Sequence, residues 1–173
     1  MHKLHISTQF DSGAIDVVQL ERADDIQLRI RKDSAADFAQ WFHFCLHGAA
    51  FQPVTLRFLN ASESAYPKGW EGYQVVASYD RQEWTRIDTH YDGKEMTARL
   101  TPMAQAVYFA YFEPYSYEQH LDLLASAATS PWVTQRRLGS TVQGRDMTLL
   151  RITDEAGNTP PEQKKKVWII ARQ

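Results

Sequence analysis

Three residues with the chemistry of metal ligands occupy alternate positions in one short apolar segment: His43, Cys45 and His47. In a β-strand such positions share one face, and imidazole nitrogen and thiolate sulfur are ligands that zinc prefers. Adjacent same-face Cβ atoms are roughly 6.5–7 Å apart, so a pair could chelate an ion, whereas three in a straight row rarely converge. Two interpretations stay open: a zinc site, or the simpler half-exposed strand face that carries an unremarkable thiol.

Two further groups of residues could bind a ligand. His2 and His5 could hold an adventitious metal ion, although a frayed or edge segment explains them more simply. Five aromatic residues could form a sugar-stacking platform, or could pack in the core and between strands. Trp70 is predicted to be the most exposed of them, because its loop is flanked by glycines. The five are Trp41, Trp70, Tyr73, Tyr79 and Trp84.

No Ser/His/Asp order, phosphate-binding loop or dinucleotide-binding signature is present in the sequence. We therefore assign no catalytic, cofactor-binding or metal-binding residue to this chain. The net charge of −2 provides no general attraction to nucleic acid or to an anionic membrane, and neither is expected as a partner. A single cysteine excludes an intrachain disulfide, and the first residues do not resemble a signal peptide, so a cytoplasmic location is predicted.

Short segments with alternating apolar residues dominate the first two thirds of the chain. Turn-forming residues such as Asp92-Gly93 separate them, which is typical of an antiparallel sandwich. We predict that residues 1–114 form an antiparallel β-sandwich domain. The segments are Ile26–Arg31, Val54–Phe58, Tyr73–Tyr79, Trp84–Ile87, Met96–Leu100 and Val107–Phe112, the last apolar on both faces.

The pattern changes after Pro114. Ser116 and Gln119 fit a capping box, and apolar residues then recur at helical spacing until Pro131. Two strands joined by a turn at 143–146 follow, and then a nearly all-apolar segment, Val167–Arg172, that is predicted to be a buried strand. Residues 115–173 are therefore expected to be the incomplete start of an α/β domain. We expect the apolar segment to be exposed or covered by self-association.

Three segments together resemble the cytosolic carboxypeptidases, a subfamily of the zinc metallocarboxypeptidases. Trp41-Phe42-His43-Phe44, which precedes a strand that ends in Asn60, is similar to an aromatic strand of that family. The segment 108–117, with Tyr108-Phe109-Ala110 and Pro114-Tyr115-Ser116, resembles the junction between its two domains and is the most specific of the three. The run 138–146 is similar to the hairpin that opens its catalytic domain.

The resemblance covers almost the whole chain and implies a mostly β fold, a sandwich followed by the first helix and strands of a carboxypeptidase domain. It implies a parent enzyme that uses zinc to hydrolyse C-terminal residues from peptides or proteins. In that family the strand equivalent to 167–173 leads into a His-x-x-Glu zinc motif, which has no counterpart in this sequence. The resemblance thus implies a structural, substrate-guiding fragment without zinc, the alternative being a free-standing β-sandwich that binds carbohydrate or a protein tail.

Overall fold

The computed structural model describes residues 3–170, and these belong to two compact units that are divided between Tyr117 and Glu118. The domain boundary predicted at 114/115 stays a prediction. No helix among the described residues is long and apolar enough to cross a bilayer. The strands of the first unit are β1 (His5–Ser7), β2 (Asp16–Gln19), β3 (Ile26–Arg29), β4 (His43–His47), β5 (Val54–Phe58), β6 (Val76–Ser78), β7 (Thr85–Arg86), β8 (Asp88–Tyr91), β9 (Met96–Leu100) and β10 (Ala106–Ala110).

The ten strands form two five-stranded sheets that pack face to face. Sheet A has the order β1-β4-β10-β6-β7, and sheet B has the order β2-β3-β5-β9-β8. The rings of Phe44 in sheet A and Phe58 in sheet B lie 6.4 Å apart in a core shared by both sheets. The mostly β fold with a sandwich is thus confirmed.

The alternation predicted for these strands correctly identifies the residues that form the core. Ile26, Leu28 and Ile30 point inward and are almost fully buried, as are the inward-facing residues of Val54–Phe58. Every second side chain of a strand faces the same way, so one apolar set fills the space between the sheets. Two 3₁₀ helices, Ala61–Glu63 and Pro67–Trp70, occupy the connection from β5 to β6.

One pair of strands differs from the antiparallel expectation, because β3 and β5 run parallel, with Ile26 registered against Leu56. The buried side chain of Asn60 fixes this pairing beyond the end of β5. Its Oδ1 accepts from the Ile30 amide, and its Nδ2 donates to the Ile30 carbonyl, each at 2.8 Å. A single amide side chain therefore replaces one rung of the ladder, which satisfies two buried backbone groups.

The second unit contains one helix and one hairpin. The helix α1 (Tyr117–Ala128) begins at the last residue of the first unit, and within that unit the Tyr117 amide donates to the Asp11 carboxylate at 2.8 Å. The strands β11 (Val133–Ser140) and β12 (Asp146–Ile152) pair antiparallel, with Gly144 at φ 80° in the turn. The N-cap role of Ser116 stays a prediction.

The predicted third strand of this unit is wrong over the described residues, because 153–170 contain no strand. A strand requires a hydrogen-bonding neighbour, and in the described part of the chain the hairpin forms a two-stranded sheet by itself. Residues 171 and 172 of the predicted strand lie outside the described range. Val167 to Ile170 are highly exposed, with Ile169 at 90%, as expected for the apolar surface predicted there.

Candidate functional site

The outer face of β4 carries the three residues that the sequence marks as possible ligands. Phe44 and Leu46 point into the core between the sheets, so the alternation places His43, Cys45 and His47 on the opposite face. Such a face is ordinarily open to solvent in an antiparallel sandwich, yet His43 is 1% exposed and Cys45 is 2% exposed. The predicted half-exposed face is therefore wrong for these two residues, and only His47 is half-buried.

A layer of aromatic side chains buries His43. Its ring makes edge contacts with Phe10 at 4.8 Å, Trp84 at 5.7 Å and Trp41 at 6.2 Å between ring centroids. Its Nδ1 lies 2.9 Å from Ser12 Oγ, and its Nε2 makes no hydrogen bond within the described residues. The His43 ring thus has one hydrogen bond within a mainly aromatic environment.

This environment keeps the imidazole uncharged. Burial, and to a smaller extent the charge of Arg81, lower the pKa of His43 to about 4, while Asp11 opposes the shift. Above pH 6 the ring is therefore neutral. A neutral ring buried on all sides can hold the layer together, but it cannot reach a substrate as an acid or a base.

The side chain of Arg81, which follows β6 of sheet A in the chain, covers part of the aromatic layer around His43. Its guanidinium carbon lies 5.6 Å from the ring centroids of both Phe10 and Tyr108, which is within cation–π range. Arg81 adopts φ 64°, and its amide donates to Ser78 Oγ at 2.8 Å. The sequence provided no sign of this role, because Phe10, Arg81 and Tyr108 come together only through the sheet.

Cys45 next to this layer is a buried free thiol. Burial is the largest effect on its pKa and raises it. A thiol that stays protonated is a poor metal ligand and a poor nucleophile. The part of the chain that the structure describes contains no group of three His, Cys, Asp or Glu residues that could hold a metal ion. As placed, the side chains of His43, Cys45 and His47 are not grouped around one point.

The five aromatic residues do not form one platform. Trp70, predicted to be exposed, is 1% exposed, and its Nε1 donates to the Ala61 carbonyl at 2.9 Å and to Ser64 Oγ at 2.8 Å. It packs on Tyr73 at 5.1 Å, whereas Trp41 and Trp84 belong to the layer around His43. The glycines of its loop indicate a turn of the backbone, but they do not determine the direction of the neighbouring side chain. The 3₁₀ helix Pro67–Trp70 directs the indole ring inward.

The remaining histidines include a cross-strand pair. β1 pairs with β4 so that His5 lies opposite His47, and their ring centroids are 5.8 Å apart with an interplanar angle of 28°. His5 is exposed and His47 is half-buried. One histidine from each of the two groups that the sequence suggests, His5 and His47, therefore meets the other at one edge of sheet A, and His2 lies outside the described residues.

Comparisons with known proteins agree with the fold. A crystal structure of a metallo-carboxypeptidase from Burkholderia cenocepacia is 46% identical, with a TM-score of 0.87 over 92% of this chain and 42% of that chain. A metallo-carboxypeptidase from Pseudomonas aeruginosa in complex with (2-guanidinoethylmercapto)succinic acid is 42% identical, with a TM-score of 0.80 over 86% of this chain and 40% of that chain. An uncharacterised protein of Zymomonas mobilis is 42% identical over 98% of this chain and 42% of its own length.

The present chain thus spans less than half the length of these relatives. The match to the family described as "Cytosolic carboxypeptidase N-terminal domain" extends over residues 6–112, nearly all of the sandwich. The chain therefore belongs to the family of cytosolic carboxypeptidase N-terminal domains.

Proposed function

We propose that this chain is the N-terminal part of a zinc metallocarboxypeptidase that hydrolyses C-terminal residues from peptides or proteins in the cytoplasm. The similarity to the Burkholderia cenocepacia metallo-carboxypeptidase carries the proposal, because it continues past the sandwich and covers 92% of the chain. A sandwich that merely shared a fold would not match α1 and the hairpin as well. The single cysteine, buried and unpaired, agrees with a reducing compartment.

The sandwich itself is proposed to be structural and to guide the substrate. The outer face of β4 is covered by aromatic rings, and the described residues include no group of three ligands for a zinc ion. The zinc ligands, and the residues that bind the substrate carboxylate, then come from a part of the parent protein other than residues 3–170. No catalytic step is assigned to this chain.

The coding sequence after codon 173 tests the parent's identity. We expect it to continue into a His-x-x-Glu motif, as the family resemblance implies. The longer protein should release the C-terminal residue of test peptides and lose that activity when a chelator removes zinc. A stop codon after Gln173, or a longer protein without peptidase activity, would contradict the proposed enzyme.

The 173-residue chain tests the proposed division of roles. Incubated with the same peptides and added zinc, it should hydrolyse none of them. Hydrolysis that a chelator abolishes would place catalysis in this chain and would overturn the structural role. The variant His43→Gln is the control for that outcome, because it removes the one buried imidazole.

We also propose that the chain by itself associates through Val167–Ile170. These four apolar side chains are 69–90% exposed, and a contiguous apolar patch of this kind favours contact with a second surface. Sedimentation velocity should show association that grows with concentration and decreases in the Trp168→Ser/Ile169→Ser variant. The matched control is Val142→Ser, which changes another exposed apolar residue, in the hairpin turn. A monomer at all concentrations would disprove self-association.

A further inference from the structure

The histidine pair at the edge of sheet A has a geometry that suits chelation. His5 and His47 stand directly opposite each other on antiparallel strands, so their Cβ atoms are roughly 4.5–5.5 Å apart and point to the same side. The ring centroids are 5.8 Å apart, and the rings are nearly parallel. Neither residue belongs to the closed layer around His43, and solvent reaches both rings.

Metal–ligand geometry requires the two rings to reorient without a change in the backbone. Imidazole nitrogens bind zinc at about 2.0–2.1 Å, so two rings on one tetrahedral ion have nitrogens about 3.4 Å apart and centroids about 5 Å apart. The observed centroids are within about 1 Å of that separation, but the rings are stacked, so rotation of both side chains must turn one nitrogen of each ring towards a common point. Two ligands on paired strands are held near each other before the ion arrives, which lowers the entropic cost of chelation.

We propose that His5 and His47 form a two-point binding site for a late first-row transition metal ion. Imidazole suits copper, nickel and zinc, and Cu²⁺ binds more tightly than Ni²⁺ or Zn²⁺. Water or an external ligand completes the coordination, because the described residues offer no third protein ligand in a group with these two. The neighbouring Cys45 contributes nothing, since its thiol is buried.

Binding at this site has a structural consequence for the N-terminal strand. β1 has three residues and lies at the edge of sheet A, where it pairs only with β4 among the described strands. An ion held from both strands crosslinks β1 to β4. It therefore slows local opening of an element that is otherwise at the low end of stability.

Nickel titration of the 173-residue chain tests the proposal. Isothermal titration with NiCl₂ at pH 7.5 should show one ion per chain. His5→Asn and His47→Asn should each weaken binding about a hundredfold, because two-point binding becomes one-point binding. The control His90→Asn, an exposed histidine on β8 in sheet B, should leave the affinity unchanged.

Hydrogen exchange gives a second measurement that distinguishes the site from other metal binding. Nickel should slow exchange of the His5–Ser7 amides in the wild-type chain and in His2→Asn, but not in His5→Asn. His5→Asn changes an exposed residue, so it remains informative if His47→Asn fails to fold. Loss of binding in His2→Asn instead would assign the ion to the chain terminus and overturn the proposal, as would equal weakening in His90→Asn or unchanged exchange of β1.

Discussion

In the sandwich Phe44 and Phe58 are withdrawn from solvent, whereas in the second unit Leu138 and Ile152 are more than half exposed. Every buried apolar residue of the described chain except Leu124 belongs to the sandwich. This difference in exposure follows from the architecture. Two facing sheets bury each other's apolar faces, whereas a single hairpin leaves both of its faces largely uncovered. The sandwich thus carries the stability of the chain, and the second unit has surfaces suited to further contacts.

The largest effect that we expect comes from emptying the shared core. Phe58→Ala removes a buried ring that contacts Phe42 at 4.7 Å, and should lower the free energy of unfolding by about 3–5 kcal/mol. Ile169→Ala, the matched change in the second unit, should alter it by less than about 0.5 kcal/mol. Urea denaturation followed by fluorescence measures both. Equal effects would contradict the assignment of stability to the sandwich.

The buried histidine should make the sandwich sensitive to acid. Its pKa of about 4 in the folded state lies below the ordinary 6.5, so between these values the unfolded chain binds a proton that the folded chain does not. The free energy of unfolding therefore rises with pH between these two pKa values. It decreases by up to about 3 kcal/mol as the pH falls through the same range. Urea denaturation of His43→Gln at several pH values should show a smaller dependence of stability on pH than the wild type, and an unchanged dependence would contradict this assignment to His43.

The indole N–H of Trp70 should contribute to the stability of the fold in addition to the packing of its ring. Trp70→Phe leaves the Ala61 carbonyl and Ser64 Oγ without this donor in a buried position, which should cost about 1–3 kcal/mol. Trp132→Phe, in the second unit, is half exposed and should leave stability unchanged. Thermal unfolding followed by circular dichroism compares the two variants. Stability of Trp70→Phe equal to wild type would show that these hydrogen bonds contribute nothing.

The smallest effect concerns glycines with the same backbone conformation in the two units. Gly144 at φ 80° has open space around it, so Gly144→Ala should destabilise the hairpin by about 1 kcal/mol through backbone strain alone. Gly48 at φ 85° adds a clash, because a Cβ there would lie 2.8 Å from the Lys3 carbonyl oxygen. Gly48→Ala should therefore unfold at a lower urea concentration than Gly144→Ala. The reverse order would mean that the backbone at Lys3, just before β1, shifts easily to accommodate the added methyl group.

Local patterns in the sequence were sufficient for most strands and for α1. Ile26, Leu28 and Ile30 were predicted correctly because alternation is a property of one strand and needs no knowledge of its neighbours. The parallel pairing of β3 with β5 was not predictable in this way, since it depends on Asn60 reaching Ile30 across the sheet. The family itself could be inferred because its motifs are contiguous in the chain.

Burial of polar and aromatic side chains was the main failure of the sequence interpretation. His43 and Trp70 are buried by residues distant in the chain or by the turn of a 3₁₀ helix, and no periodic pattern encodes either contact. The same limitation hid the His5–His47 pair, because only the strand order of sheet A brings the two residues together. Site chemistry on a sandwich therefore depends on topology more than on spacing.

The position of β4 between β1 and β10 has a consequence for synthesis on the ribosome. β4 registers His43 against Ala110, so the centre of sheet A cannot form until almost the whole first unit has been made. Until then the aromatic face of β4 lacks its partner and is a natural substrate for chaperones that hold nascent chains. Sheet A can therefore be completed only after its strand β10 has left the exit tunnel.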